Sequence, residues 1–214
     1  MTGRQLPFDL PQLNAMGAAD FVAAGSNQAA LTLIEAWPAW PREALAVFGP
    51  PGCGKTHLGH VWQEKVRPAV LYLTAPTKLP DLPERPHLVL DEPTLDETEF
   101  FHLLNRVKGE GGALLILSRE APARWDVRLP DLASRLKALP AVEVMPPDDA
   151  LLGAVLAKHF GDRQIHVAPE VIDYLLRHIE RSFAAAAEIA EKLDRAALAA
   201  GRAITVPLAK RVLD

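Results

Sequence analysis

The chain has 214 residues, a formal net charge of −4 and a single cysteine, and these values exclude several kinds of protein. One cysteine cannot build a disulfide framework within the chain, which fits a reducing compartment. The acidic balance argues against a basic face that grips nucleic acid. No apolar run approaches the ~20 residues of a membrane span, and the N-terminus lacks the apolar core of a signal peptide. We therefore expect a cytoplasmic protein without a membrane segment.

The chain divides by pattern into an extended tail at 1–18, an α/β domain at 19–147 and a helical domain at 148–214. In the α/β domain, apolar runs typical of buried strands alternate with amphipathic stretches typical of helices. The predicted strands are 44–48, 69–73, 86–90, 113–118 and 142–144, and the predicted helices are 28–37, 57–66, 97–108 and a short one near 129–136. Apolar strands that alternate with helices indicate a parallel sheet sandwiched by helices.

After Pro146 and Pro147 the pattern is helical only. Asp148 is a predicted N-cap for a helix that runs to 160, and Pro169 starts a second helix that runs to 179. Ser182 is a predicted cap for a third, alanine-rich helix that ends at Gly201, and a short helix follows position 207. This part therefore reads as a smaller, all-helical domain.

The strongest motif is a phosphate-binding loop of the form G-x-x-x-x-G-K-[ST]. Its residues are Gly49, Pro50, Pro51, Gly52, Cys53, Gly54, Lys55 and Thr56. An apolar strand precedes the loop and a helix that includes His57 follows it, which is the context the motif requires. Backbone N–H groups of such a loop surround phosphate oxygens, and the lysine reaches the β- and γ-phosphates. We predict bound ATP or ADP, with Cys53 as a small residue that fills the loop.

Two acidic residues, Asp91 and Glu92, follow the third predicted strand, where a parallel sheet ends near bound phosphate. Asp91, together with the Thr56 hydroxyl, is the predicted set of ligands for Mg²⁺, which prefers hard oxygen atoms. Glu92 is either a base that polarises an attacking water or a solvated surface acid. Ser118 ends the next strand and is predicted to contact the γ-phosphate or that water.

Arg135 lies in a short helix and admits two interpretations. It is either a surface cation paired with Asp131, one helical turn away, or an arginine finger offered to the γ-phosphate of a neighbouring subunit. Spacing alone does not choose between them.

These positions together resemble the AAA+ ATPases of the type of DnaA, the bacterial replication initiator, and within them the short Hda-like regulators of that initiator. The resemblance covers nearly the whole chain. It implies that Phe21, Val22, Gly25 and Asn27 lie near the adenine and that Asp91 and Glu92 form the Walker B motif. It also implies that Ser134–Leu136 carries the arginine finger, that 193–196 belongs to a helical lid, and that the fold is the AAA+ fold.

The resemblance to Hda-like proteins also implies two partners. Gln5, Leu6, Phe8 and Leu10 resemble the hexapeptide that docks on the DNA polymerase III sliding clamp, its β subunit. Pro7 favours an extended backbone there, and the alternating apolar side chains suit a groove. The alternative is a tail whose apolar residues fold back on the domain. The second implied partner is DnaA itself, without direct sequence-specific DNA binding, because the chain ends after the lid. Homodimer formation remains open.

Two departures from the family weaken the expectation of efficient hydrolysis. Ala184 stands where the family has its sensor 2 arginine, and Arg181 is out of register with that position. The strand that carries Ser118 ends in Ser-Arg, where DnaA-like chains usually show Thr-Ser-Asp. The resemblance therefore implies a protein that holds a nucleotide, ADP above all, as a structural setting, and that stimulates ATP hydrolysis by DnaA through Arg135.

Two other functions remain as alternatives. A self-sufficient ATPase, such as a DnaC-like helicase loader or an oligomeric motor, is favoured by the intact Asp91 and Glu92. A small-molecule kinase with a P-loop would need an acceptor site, which the helical C-terminal domain does not indicate.

Overall fold

The computed structural model describes residues 17–18, 21–66 and 70–213. The predicted clamp-binding residues Gln5, Leu6, Phe8 and Leu10 lie outside the described residues, as does position 69 of the second predicted strand.

A five-stranded parallel sheet forms the centre of the first part of the chain. Its strands are β1 (Ala44–Phe48), β2 (Val70–Thr74), β3 (His87–Asp91), β4 (Ala113–Ser118) and β5 (Ala141–Glu143). They lie in the order β2-β3-β4-β1-β5. In the register, Thr74 lies beside Asp91 and Phe48 lies beside Ser118, so the carboxyl ends of neighbouring strands meet at one edge.

Helices cover both faces of the sheet. They are α1 (Gln28–Glu35), α2 (Lys55–Val66), α3 (Glu97–Glu110) and α4 (Pro130–Lys137). On one face Ile34, Leu58 and Trp62 pack against Val47 and Leu117 in one apolar core. The helices of the other face, α3 and α4, pack there through a second apolar core of Phe100, Leu103, Leu104, Val107, Leu132 and Leu136. Burial on both faces explains why the strands are apolar without alternation.

The second part of the chain consists of four helices, called the lid below. They are α5 (Asp149–Asp162), α6 (Pro169–His178), α7 (Phe183–Ala200) and α8 (Val206–Leu213). The lid has its own apolar core, in which Leu156, Phe160 and Leu193 are fully or almost fully buried. Asp148 accepts a hydrogen bond from the Leu151 N–H, as its predicted capping role requires.

Several boundaries differ from the predicted ones. α1 ends at Glu35 rather than at 37, and although Asn27 is its N-cap, the Asn27 side chain makes no capping bond. α3 extends to Glu110 rather than to 108 and ends at Gly111, whose φ of 69° suits glycine. β5 lies one residue earlier than predicted, and α8 begins at Val206 rather than after position 207. Helix ends depend on which backbone groups find partners, and sequence patterns fix that poorly.

None of the helices in the described ranges combines the length and the apolar character that a membrane crossing needs.

Candidate nucleotide-binding site

The phosphate loop connects β1 to the N-terminus of α2, and its backbone has the conformation that the motif requires. Gly52 and Gly54 have φ values of 71° and 101°, a backbone conformation that residues other than glycine rarely adopt. Lys55 is almost fully buried, and its ammonium donates to the Gly49 carbonyl at 2.9 Å and to the Pro50 carbonyl at 3.1 Å. The lysine is thus held across the loop, at the N-terminus of a helix that favours anions.

Cys53 is buried in the core beneath the loop. Burial raises the pKa of the Cys53 thiol, so the neutral form is favoured. A buried neutral thiol behaves as a small apolar side chain, in agreement with the predicted filling role.

Asp91 and Thr56 meet at the carboxyl edge of the sheet. The Thr56 hydroxyl donates to Asp91 Oδ2 at 2.8 Å, and the Asp91 side chain is 5 % exposed. No group of three or more His, Cys, Asp or Glu side chains clusters as a metal site within the described residues. Mg²⁺ at nucleotide sites typically takes only one or two protein ligands and completes its shell with phosphate and water. The adjoining hydroxyl and carboxylate oxygens fit that donor set.

Tyr72 on β2 belongs to the same cluster, and the sequence patterns did not single it out. Its hydroxyl donates to Asp91 Oδ2 at 2.9 Å. Burial, together with the negative charge of Asp91, raises the pKa of the Tyr72 hydroxyl, which therefore remains a donor. A β-carbon on Gly59 would lie 2.9 Å from the Tyr72 oxygen, which explains a glycine within α2. The sequence signal that could have identified Tyr72 was a tyrosine in an otherwise apolar strand, followed in the chain by the strand that ends at Asp91.

Glu92 follows Asp91 in the left-handed region, with φ of 52°, and its N–H donates to the Leu117 carbonyl at 2.8 Å. Its carboxylate lies 3.7 Å from Lys55 Nζ and 3.5 Å from Arg119 Nε. Ser118 is buried, and its hydroxyl donates to the Glu120 carbonyl at 2.7 Å. The structure thus gathers Lys55, Thr56, Asp91 and Glu92 directly, with Ser118 at the end of the neighbouring strand.

Asn27 and His57 both contact the segment that precedes α1. Asn27 is 2 % exposed; its side chain accepts from the Ala24 N–H at 2.8 Å and donates to the Val22 carbonyl at 3.0 Å. The His57 ring lies edge-on to Phe21, with centroids 5.1 Å apart. Asn27 is thus occupied in folding the segment that the family resemblance places near an adenine, and His57 packs against that segment.

The lid contacts the phosphate loop through the start of α7. The Phe183 N–H donates to the Gly52 carbonyl at 2.8 Å, and a β-carbon on Gly54 would lie 3.1 Å from the Phe183 ring. Ser182 caps α7 by accepting from the Ala185 N–H. Arg181 instead pairs with Asp149 at 3.0 Å. Arg181 therefore does not take the place of the arginine that the family resemblance leads one to expect at position 184.

Arg135 is not part of this cluster. Leu132 and Leu136 anchor α4 in the core on the α3 side of the sheet, whereas α2 packs on the opposite face. The Arg135 guanidinium lies 4.8 Å from the centroid of the Phe101 ring, a cation–π contact, and no ion pair joins it to Asp131 within the described residues. Glu97 accepts from the Leu129 N–H at 2.8 Å, which fixes the start of α4.

Solved structures share this architecture. Domain III of the Thermotoga maritima replication initiation protein DnaA matches with a TM-score of 0.76 at 19% identity, over 95% of this chain and 98% of that chain. The Thermotoga maritima RuvB Holliday junction branch migration motor matches with a TM-score of 0.72 at 12% identity, over 92% and 71%. A replication initiator DnaA bound to AMPPCP and single-stranded DNA matches with a TM-score of 0.65 at 18% identity, over 82% and 63%. At these identities the likenesses show the fold alone, and the predicted AAA+ fold is confirmed.

The lid gives a more specific match. Residues 149–213 match the family described as Hda, lid domain. The predicted resemblance to Hda-like, DnaA-related AAA+ proteins is thereby confirmed. The chain also has a relative in Haemophilus influenzae, described as an uncharacterized protein, with 28% identity over 185 residues that cover 78% of this chain and 80% of the relative. The matched residues include Ser182 and Phe183, which contact the phosphate loop.

Proposed function

We propose that this Hda-like protein is a cytoplasmic regulator of replication initiation that stimulates ATP hydrolysis by a DnaA-type initiator. In this proposal the tail at 1–18 docks on the sliding clamp. The domain at 19–147 holds ADP or ATP with Mg²⁺, and the domain at 148–214 closes on it. Arg135 then stabilises the charge that develops on the γ-phosphoryl group of the partner's ATP. Arginine fingers supplied in trans accelerate hydrolysis by about 10³–10⁵ in GTPases.

The position of Arg135 is the observation that carries the proposal. The side chain is half-buried on the sheet face opposite α2 and contacts Phe101 instead of a carboxylate. A guanidinium neutralised by a nearby acid would be a poor finger, whereas one resting on an aromatic ring keeps its full charge. A cation placed this way supports action on a neighbouring molecule's phosphate rather than on the chain's own.

The lid supports a structural role for the bound nucleotide. Phe183 and Ser182 contact Gly52 and Gly54 directly, and Ala184 offers no charge to a γ-phosphate. The position of the lid is therefore coupled to the backbone of the phosphate loop rather than to the third phosphate. This arrangement suits a protein in which ADP suffices to set the angle between the two domains.

The first experiment compares Arg135→Ala with Lys137→Ala, an exposed cation on the same helix. DnaA loaded with ATP is mixed with each protein, and phosphate release is followed. We expect Lys137→Ala to stimulate like the unaltered protein. We expect Arg135→Ala to bind ADP normally, because α4 packs on the face of the sheet opposite α2. We also expect it to lose at least ~10²-fold in stimulation. Full stimulation by Arg135→Ala would refute the finger.

The second experiment tests the clamp. A variant with Gln5, Leu6 and Phe8 changed to alanine loses the polar anchor and two of the apolar side chains that a groove would receive. We expect it to bind nucleotide normally and to lose its response to clamp loaded on DNA. Equal stimulation by the intact and altered tails would remove the clamp from the proposal and leave the Arg135 result unaffected.

One observation favours the alternative, a self-sufficient ATPase such as a DnaC-like helicase loader. Asp91 and Glu92 both lie beside the phosphate loop, within reach of Thr56 and Lys55. ATP turnover by the isolated protein separates the two proposals, because a motor or loader of this kind hydrolyses ATP without an added DnaA-type partner.

A further inference from the structure

The Glu92 carboxylate lies between two cations, and this arrangement has a consequence for the chain's own chemistry. Oε1 is 3.7 Å from Lys55 Nζ, and Oε2 is 3.5 Å from Arg119 Nε. The Lys55 side chain is 6% exposed and the Arg119 side chain is 70% exposed. Both carboxylate oxygens therefore face positive charge, one inside the site and one at its mouth.

The backbone around Glu92 fixes this direction. The residue has a φ of 52°, a conformation that non-glycine residues adopt only where surrounding contacts hold them. Its N–H bond to the Leu117 carbonyl joins it to the end of β4, from which Arg119 also projects. Ser118, between Leu117 and Arg119 in the chain, donates its hydroxyl to the Glu120 carbonyl. The polar group that β4 offers to Glu92 is thus a guanidinium and not a neutral hydroxyl.

We propose that Arg119 is a positioning residue that holds Glu92 away from the attacking water and so suppresses hydrolysis of the chain's own ATP. In that hydrolysis the water oxygen bonds to the γ-phosphorus, the bond from phosphorus to the ADP oxygen breaks, and a carboxylate accepts the proton of the water. A carboxylate that an ion pair holds away from the water must turn toward that water before it accepts the proton. The inference rests on the nucleotide-binding part of the proposed function.

Steady-state ATP turnover by the isolated protein, without DnaA or clamp, tests the proposal. Exposed ion pairs of this kind alter equilibria by small amounts, so Arg119→Ala should raise kcat roughly two- to five-fold with KM unchanged. Arg119→Lys should remain near the unaltered rate because it keeps the charge. Arg124→Ala, which removes another exposed arginine nearby, should also leave the rate unchanged. In a Glu92→Gln background, Arg119→Ala should have no effect.

A fall in kcat or no change with Arg119→Ala would overturn the proposal, as would the same rise in the Glu92→Gln background. A measurement that needs no nucleotide provides a second check. In the nucleotide-free protein, Arg119→Ala and Glu92→Gln should shift the unfolding temperature non-additively, by up to about 4 °C. Additive shifts would show that the two side chains are not coupled.

The experiments distinguish failure of the proposed function from failure of the role of Arg119. If the unaltered protein binds neither ATP nor ADP, the proposed function is contradicted. If it binds nucleotide and stimulates DnaA while Arg119→Ala leaves its own turnover unchanged, only the role of Arg119 is contradicted.

Discussion

At the scale of single residues, one carboxylate oxygen organises the site. Asp91 Oδ2 accepts hydrogen bonds from both Thr56 and Tyr72. Two donors on one oxygen fix the orientation of the carboxylate. Side chains that hydrogen-bond to a metal ligand without touching the ion commonly change metal affinity by about 10–100-fold. Tyr72 is therefore expected to matter for Mg²⁺ although it would not touch the ion.

Tyr72→Phe tests this expectation, because it removes only the hydroxyl. We expect ADP affinity in the presence of Mg²⁺ to fall about ten-fold, while affinity in EDTA stays the same. Titration with a fluorescent ADP analogue measures both. The matched control is Tyr174→Phe in the lid, where the ring stacks on His178. Equal Mg²⁺-dependent affinity in the Tyr72 variant would show that its hydroxyl does not orient the ligand.

Residue-level prediction from the sequence was possible where spacing along the chain determines which side chains belong to one motif. Lys55 and Thr56 follow from the loop motif, and Asp91 follows from its place at the end of an apolar strand. Tyr72 and the Lys55–Glu92–Arg119 arrangement were missed. They depend on which strands are neighbours and on the orientation of side chains, and the local periodicity of the sequence determines neither.

At the scale of elements, α7 links the lid to the phosphate loop. Ser182 caps the helix, and the next N–H, that of Phe183, is donated to Gly52 instead of to a helix partner. The first N–H groups of any helix lack internal acceptors, so the loop carbonyl satisfies one of them. The cap at Ser182 was predicted from sequence. The docking was not, because it joins residues about 130 positions apart.

Gly52→Ala is expected to disturb this junction. A β-carbon there would lie 2.6 Å from the Ser182 β-carbon, and the φ of 71° is unfavourable for alanine. We expect a loss of about 1–3 kcal/mol in the free energy of unfolding, with faster amide hydrogen exchange at the start of α7. Urea unfolding and exchange mass spectrometry measure the two effects.

The control for this change is Gly109→Ala within α3, where a β-carbon meets nothing within 4 Å. It should stabilise the protein by about 0.5–1 kcal/mol, because alanine favours helix over glycine. If Gly52→Ala left both stability and exchange unaltered, the lid would not be held by the phosphate loop.

At the scale of the whole molecule, the phosphate loop and the proposed arginine finger lie on different layers. The phosphate loop begins α2 on one face of the sheet, and Arg135 lies on α4 over the other face. The alternation of strands and helices predicted the layered fold from sequence, since both faces of a parallel sheet must be covered. To predict that the phosphate loop and Arg135 lie on different layers, one would have needed the strand order, in which β1 lies between β4 and β5.

This separation supports the central claim that the chain's own nucleotide is structural and that the relevant hydrolysis takes place on a partner. The most direct test is single-turnover hydrolysis of radiolabelled ATP already bound to DnaA, with clamp loaded on DNA. We predict that the Glu92→Gln variant stimulates hydrolysis as well as the unaltered protein, whereas Arg135→Ala fails to stimulate. Loss of stimulation with Glu92→Gln and full stimulation with Arg135→Ala would contradict the account.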